Sequence, residues 1–108
     1  MPIKLRVAAF NLENLDDKPG QGPSVDERIA LTRPQLLRLR ADILSLQEVN
    51  GQEEPGQPRR LLALAKLLAN TRYAGYQQVS TMTEDGMQVY DERNLVILSR
   101  FEITEHHQ

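Results

Sequence analysis

Apolar and polar residues alternate over residues 3–11, with Ile3, Leu5, Val7 and Ala9 on one face and Phe10 on the other, until Asn14, Asp16 and Asp17 break the pattern. A period of two predicts a β-strand running into a loop. Residues 18–25 are dense in Pro and Gly, and Ser24 precedes Glu27 by three positions, the spacing of a capping box that opens a helix. A helix over 26–40 is therefore predicted. Pro34 is expected to kink it or split it in two, because the ring removes a backbone donor and clashes with the carbonyl four residues earlier. Residues 42–49 form a short apolar run bounded by Asp42 in front and by Asn50 and Gly51 behind, which is how a buried parallel strand reads.

A polar loop over 50–57 leads to a second predicted helix over 58–69. Leu61, Leu64, Ala65 and Leu68 recur there at helical spacing, Pro58 suits a first turn, and Asn70 lies past the end. Residues 76–81, 94–99 and 101–105 read as three more strands, the first separated from the others by an acidic loop over 84–92. The order β-α-β-α-β-β-β predicts an α/β fold with a mixed sheet, parallel at first and antiparallel later. Two helices cover little more than one face of such a sheet, so the other face is expected to be open.

Composition narrows this picture modestly. A chain of 108 residues and 12.3 kDa bounds one domain or a piece of one. With two Phe, three Tyr and no Trp, the core must be aliphatic. Thirteen basic and fifteen acidic residues give a formal charge of −2, which argues against holding nucleic acid by bulk electrostatics. The absence of Cys excludes disulfides, thiolate metal sites and cysteine nucleophiles and favours a reducing, cytoplasmic setting. No apolar run approaches the length of a membrane span, and no signal peptide follows Lys4 and Arg6.

Ligands of open α/β sheets gather outside the carboxyl ends of parallel strands. The first strand closes with Asn11, Leu12 and Glu13, and the second with Gln47, Glu48 and Val49. Strands in neighbouring parallel register would bring these groups into one cleft. An unpaired carboxylate at the end of a buried strand is costly, and a hard cation relieves the cost. Magnesium is commonly held by one or two carboxylates plus waters and substrate phosphate, so Glu48 with Glu13 makes a partial site. Asn11 adds a neutral amide that can donate to a phosphate oxygen. Plainer readings stand beside these: Asn11 and Asn14 as turn residues bonding their own backbone, and Glu48 as a solvated loop carboxylate. Arg59 and Arg60 read as solubilising charges, and His106 and His107 as tail residues. Gly20, Gly22 and Gly51 form neither GxGxxG nor a Walker loop, so nucleotide-fold readings lose support.

Three segments together, RVAAFNLENL (6–15), ADILSLQEVN (41–50) and RNLVILSRFEI (93–103), resemble the first motifs of the endonuclease/exonuclease/phosphatase superfamily in order and spacing. The apolar strand ending in Gln-Glu-Val is the most specific of them. The resemblance implies that this chain is the N-terminal part of a four-layer α/β sandwich, supplying one mixed sheet with helices on one face. It implies a metal-dependent hydrolase of phosphate esters, nuclease-like, with Mg2+ as the cofactor and Mn2+ as its substitute. Carried over by position, Glu48 becomes the principal magnesium ligand, Asn11 a metal-shell or phosphate-contacting group, and Glu13 a further ligand position. Asn94 falls near the substrate, and Gln47 supports Glu48. The family's mid-chain catalytic His, its Gly-Asp-x-Asn motif and its final Ser-Asp-His have no match here, and His106 and His107 lie in none of these contexts. The expectation is a fragment, inactive by itself, that self-associates through its uncovered sheet. A phosphate ester, nucleic acid among the candidates, is the expected substrate of the parent protein. A non-catalytic α/β interaction module and a catalytically degenerate relative are the alternatives.

Overall fold

The computed structural model describes residues 4–17 and 24–107; Ile3 and residues 18–23 of the Pro/Gly loop lie outside the described residues. The elements, in order, are β1 (Val7–Leu15), α1 (Val25–Leu39), β2 (Ile43–Val49), β3 (Gln52–Glu54), β4 (Gln57–Arg60), α2 (Leu62–Leu68), a 3-10 turn at Arg72–Gly75, β5 (Gln77–Ser80) and β6 (Asn94–Ser99). Four strands form one mixed sheet in the order β1-β2-β6-β5, and β3 and β4 form a separate hairpin. β1 and β2 are parallel, and the pairs β2–β6 and β6–β5 are antiparallel. The fold is α/β with a mixed sheet, as the alternation along the chain predicts.

Register carries rows of side chains straight across the sheet. Ala8, Leu44, Leu98 and Gln78 are successive partners, as are Phe10, Leu46, Val96 and Ser80. On this face Leu44, Leu46, Val96 and Leu98 are buried, in one cluster with Ile29 and Leu36 of α1 and Leu64, Leu67 and Leu68 of α2. Full burial of such a side chain contributes about 1.5–3 kcal/mol, so this face supplies most of the fold's driving force. The intervening row, Ala9, Ser45, Ile97 and Val79, projects from the opposite face, because side chains alternate along a strand. There Val7, Leu95 and Ile97 are exposed. Helices cover one face of the sheet and leave the other open.

Three predicted boundaries shift, each for a physical reason. α1 runs unbroken through Pro34, so the expected split into two helices does not occur. Val25 and Ile29 before the proline and Leu36 after it are buried, and Arg33 donates to the Leu67 and Lys66 carbonyls at 2.9 and 2.6 Å. Packing on both sides outweighs one missing backbone bond. Ser24 does cap the helix, its Oγ accepting from the Glu27 N–H at 3.1 Å.

The second helix begins at Leu62, whereas residues 52–60, expected to be loop and then helix start, form the β3–β4 hairpin with Pro58 inside β4. Its first turn is capped from a distance: Gln52 Oε1 accepts from the Ala63 N–H at 2.8 Å. Its buried side is Ala63, Leu64, Leu67 and Leu68, while Ala65, placed on the apolar stripe by spacing, is exposed. Residues 101–105 are not a strand. The chain turns after β6, where the Arg100 N–H donates to the Asp42 carbonyl and the Phe101 N–H to Ser99 Oγ, so the alternating segment has no ladder to join. Among the described residues no helix is long and apolar enough to cross a membrane.

Candidate functional site

Because β1 and β2 are parallel neighbours, their carboxyl ends lie side by side. Asn11 is the register partner of Gln47, and pairing resumes at Leu15 with Val49. Between those pairs β1 spends Leu12, Glu13 and Asn14 where β2 spends only Glu48, so both strands bulge at the same level. Glu48 is also the extra residue of β2 against β6, between the pairs Leu46–Val96 and Val49–Asn94. The bulges carry left-handed backbone: φ is 49° at Glu13, 58° at Asn14 and 57° at Glu48. Arg93, just before β6, adds a fourth at 57°. Non-glycine residues enter this region at a cost of about 1–2 kcal/mol each, and such conformations persist where surrounding contacts enforce them.

Those contacts are identifiable. Asn94 is fully buried; its Nδ2 donates to the Val49 and Tyr90 carbonyls at 2.9 and 2.8 Å, and its Oδ1 accepts from Thr81 Oγ1 and the Tyr90 N–H, both at 2.9 Å. With every donor and acceptor engaged inside the protein, Asn94 has none left for a substrate. It pins the backbone one residue after Glu48 instead. Asn50 closes the same junction: its N–H donates to the Leu15 carbonyl, its Nδ2 to Asp16 Oδ2, and its Oδ1 accepts from the Arg93 N–H. Gln52 joins from β3, donating to Asp16 Oδ1 at 3.1 Å. The ends of β1, β2 and β6 are thereby tied into one network.

Asn11 is exposed, and its Oδ1 accepts from the Glu13 N–H at 2.7 Å. This is the turn role that the plainer reading assigns, and it leaves Nδ2 for a further partner. Glu13 is exposed as well, and Glu48 is half-buried. No described residue forms a hydrogen bond or ion pair with the Glu48 carboxylate. Gln47, expected to support Glu48, lies opposite Asn11 and makes no side-chain hydrogen bond among the described residues. Asn11 and Glu13 line a cavity of about 330 Å³ with Arg28, Thr32 and Gln35, and Glu48 is not in its lining. Among the described residues no three His, Cys, Asp or Glu side chains are grouped so as to hold a metal ion. The strand ends thus offer oxygen ligands in two places, Asn11 and Glu13 together at this cavity and Glu48 outside its lining, and not in the one cleft that parallel register predicts.

Asp16, Asn50 and Gln52 read in the sequence only as loop polarity. Their contacts span 34 and 36 positions for Asp16, and no local pattern encodes such distances. The one available signal is the polar Asn directly behind a buried strand. Compared with family models, curated proteins and solved structures, the chain matches none.

Proposed function

We propose that the chain is the front part of a magnesium-dependent phosphoric ester hydrolase of the endonuclease/exonuclease/phosphatase kind, cleaving phosphodiester bonds by in-line attack of an activated water. Its sheet then forms one of the two inner layers of a four-layer α/β sandwich, and the general base and phosphate-binding histidine belong to the rest of the protein. The observation that carries this reading is the paired bulge. It sets Asn11, Glu13 and Glu48 at the carboxyl ends of two parallel strands, with a half-buried Glu48 whose carboxylate no described side chain neutralises.

Carboxylate and amide oxygens suit a hard cation that keeps several waters and needs few protein ligands. Glu48 would hold it, with Glu13 as the second carboxylate. When bound, magnesium, or manganese in its place, neutralises the phosphate and polarises its oxygen. Asn11 orients the ester, offering an Nδ2 proton to a phosphate oxygen without adding negative charge. Asn94 and Asn50 fix the backbone at Val49 and just after it, so that the chain next to Glu48 is held before the ligand arrives.

Glu48→Gln in the complete protein is the test. Magnesium-dependent hydrolysis of bis(p-nitrophenyl) phosphate should fall to background while the thermal unfolding curve is retained; persistent turnover would refute the ligand role. The open apolar face with Val7, Leu95 and Ile97 favours a second reading, a non-catalytic interaction module. That reading predicts no hydrolysis and no metal binding in the unmodified protein.

A further inference from the structure

We infer that Arg28 is a positioning residue for this site, its guanidinium clamping the β1 bulge that sets Asn11 and Glu13. Its service to a metal site rests on the function proposed above; the clamp itself does not. Arg28 lies in the first turns of α1, where Nη2 donates to the Leu12 carbonyl and Nη1 to the Asn14 carbonyl at 3.0 Å. These two carbonyls flank Glu13. They fall within the stretch where pairing of β1 with β2 is interrupted, so the arginine supplies partners in the ladder's gap.

The fork geometry matters. A guanidinium presents its N–H groups in one plane and can span two carbonyls, whereas a lysine ammonium is a single point of charge. The clamp is mounted on a rigid element, since α1 is capped at Ser24 and buries Val25 and Ile29 on either side of Arg28. Arg28 also lines the same cavity as Asn11 and Glu13. The Glu13 N–H, between the two clamped carbonyls, donates to Asn11 Oδ1.

Amide-resolved hydrogen exchange on the protein, Arg28→Lys and Arg28→Ala, with a Mn2+ titration of each, tests this. The Glu13 amide should exchange roughly tenfold faster in both variants while the Leu46 amide of β2 keeps its protection. Mn2+ should bind about tenfold more weakly to both. Unchanged protection at Glu13 in Arg28→Lys would overturn the clamp, because retained charge would then suffice. A loosened bulge with unchanged Mn2+ affinity would overturn the link to the site. An unmodified protein that takes no Mn2+ would refute the metal reading, and that link with it, while the exchange result still decides the clamp.

Discussion

A Cβ placed on Gly51 would lie 2.7 Å from the Tyr90 carbonyl oxygen and 2.9 Å from side-chain carbons of Arg59 and Val89. The Gly51 N–H also donates to the Asp91 carbonyl, so the backbones are already fixed against each other just behind Asn50. Gly51→Ala should destabilise the fold by about 1–3 kcal/mol, the usual cost of overpacking. Urea unfolding checks this, and an unchanged midpoint would contradict it. From sequence, Gly51 is legible only as strand punctuation; its need for close approach comes from the 89–91 segment, far away in the chain. Asn11 and Glu48 were legible as strand-end polar residues, yet the left-handed φ of Glu48 was not, since nothing in the Gln-Glu-Val run distinguishes a bulge from a straight strand. Asn94 shows the converse case: its type is visible, but its buried, fully engaged amide is a product of packing.

At the scale of elements, β1, β2 and β6 emerge from apolar pattern because each buries one face. The β3–β4 hairpin is polar and mostly exposed, so it offers no periodicity to read. How β2 is anchored follows from one carboxylate. The Arg6 N–H, donating to Asp42 Oδ2 at 2.8 Å, holds the Asp42 carboxyl below the usual carboxylate range; partial burial opposes this, and the Arg100 guanidinium, 2.6 Å from Oδ1, adds to it. A group whose folded pKa is depressed stabilises the fold above its unfolded pKa, about 3.9 for Asp. That stabilisation is lost as pH falls through the lower folded value. Asp42→Asn should therefore flatten the acid limb of a stability-against-pH curve and leave its shape near neutrality unchanged. A variant whose acid limb matches that of the unmodified protein would show that the bracket from β2 to Arg6 and Arg100 contributes nothing.

For the whole molecule, the decisive feature is a sheet that the described helices cover on one side only. Val7, Leu95 and Ile97 stand on the open face, and a second cavity, about 270 Å³, lies there between Val79, Leu95, Ile97 and the tail residues His106 and His107. Apolar surface of this kind seeks cover, in the proposed reading from the second sheet of the sandwich. The 108-residue chain alone should then self-associate in sedimentation velocity, and Ile97→Lys should shift it toward monomer. A chain that is monomeric at every concentration, with or without the lysine, would contradict this. The open face was legible in sequence from two helices set against five predicted strands. Which residues occupy it was not, because Leu5, Val7 and Ala9 alternate as a core-facing set would.

Glu48, with Glu13 as second carboxylate, is proposed to hold one divalent ion at the ends of β2 and β1. Isothermal titration of Mg2+ into the complete protein and into Glu48→Gln measures that directly. A single-site binding heat in the unmodified protein that disappears in the variant is the predicted result; superimposable isotherms, or no heat from either protein at millimolar magnesium, would contradict it.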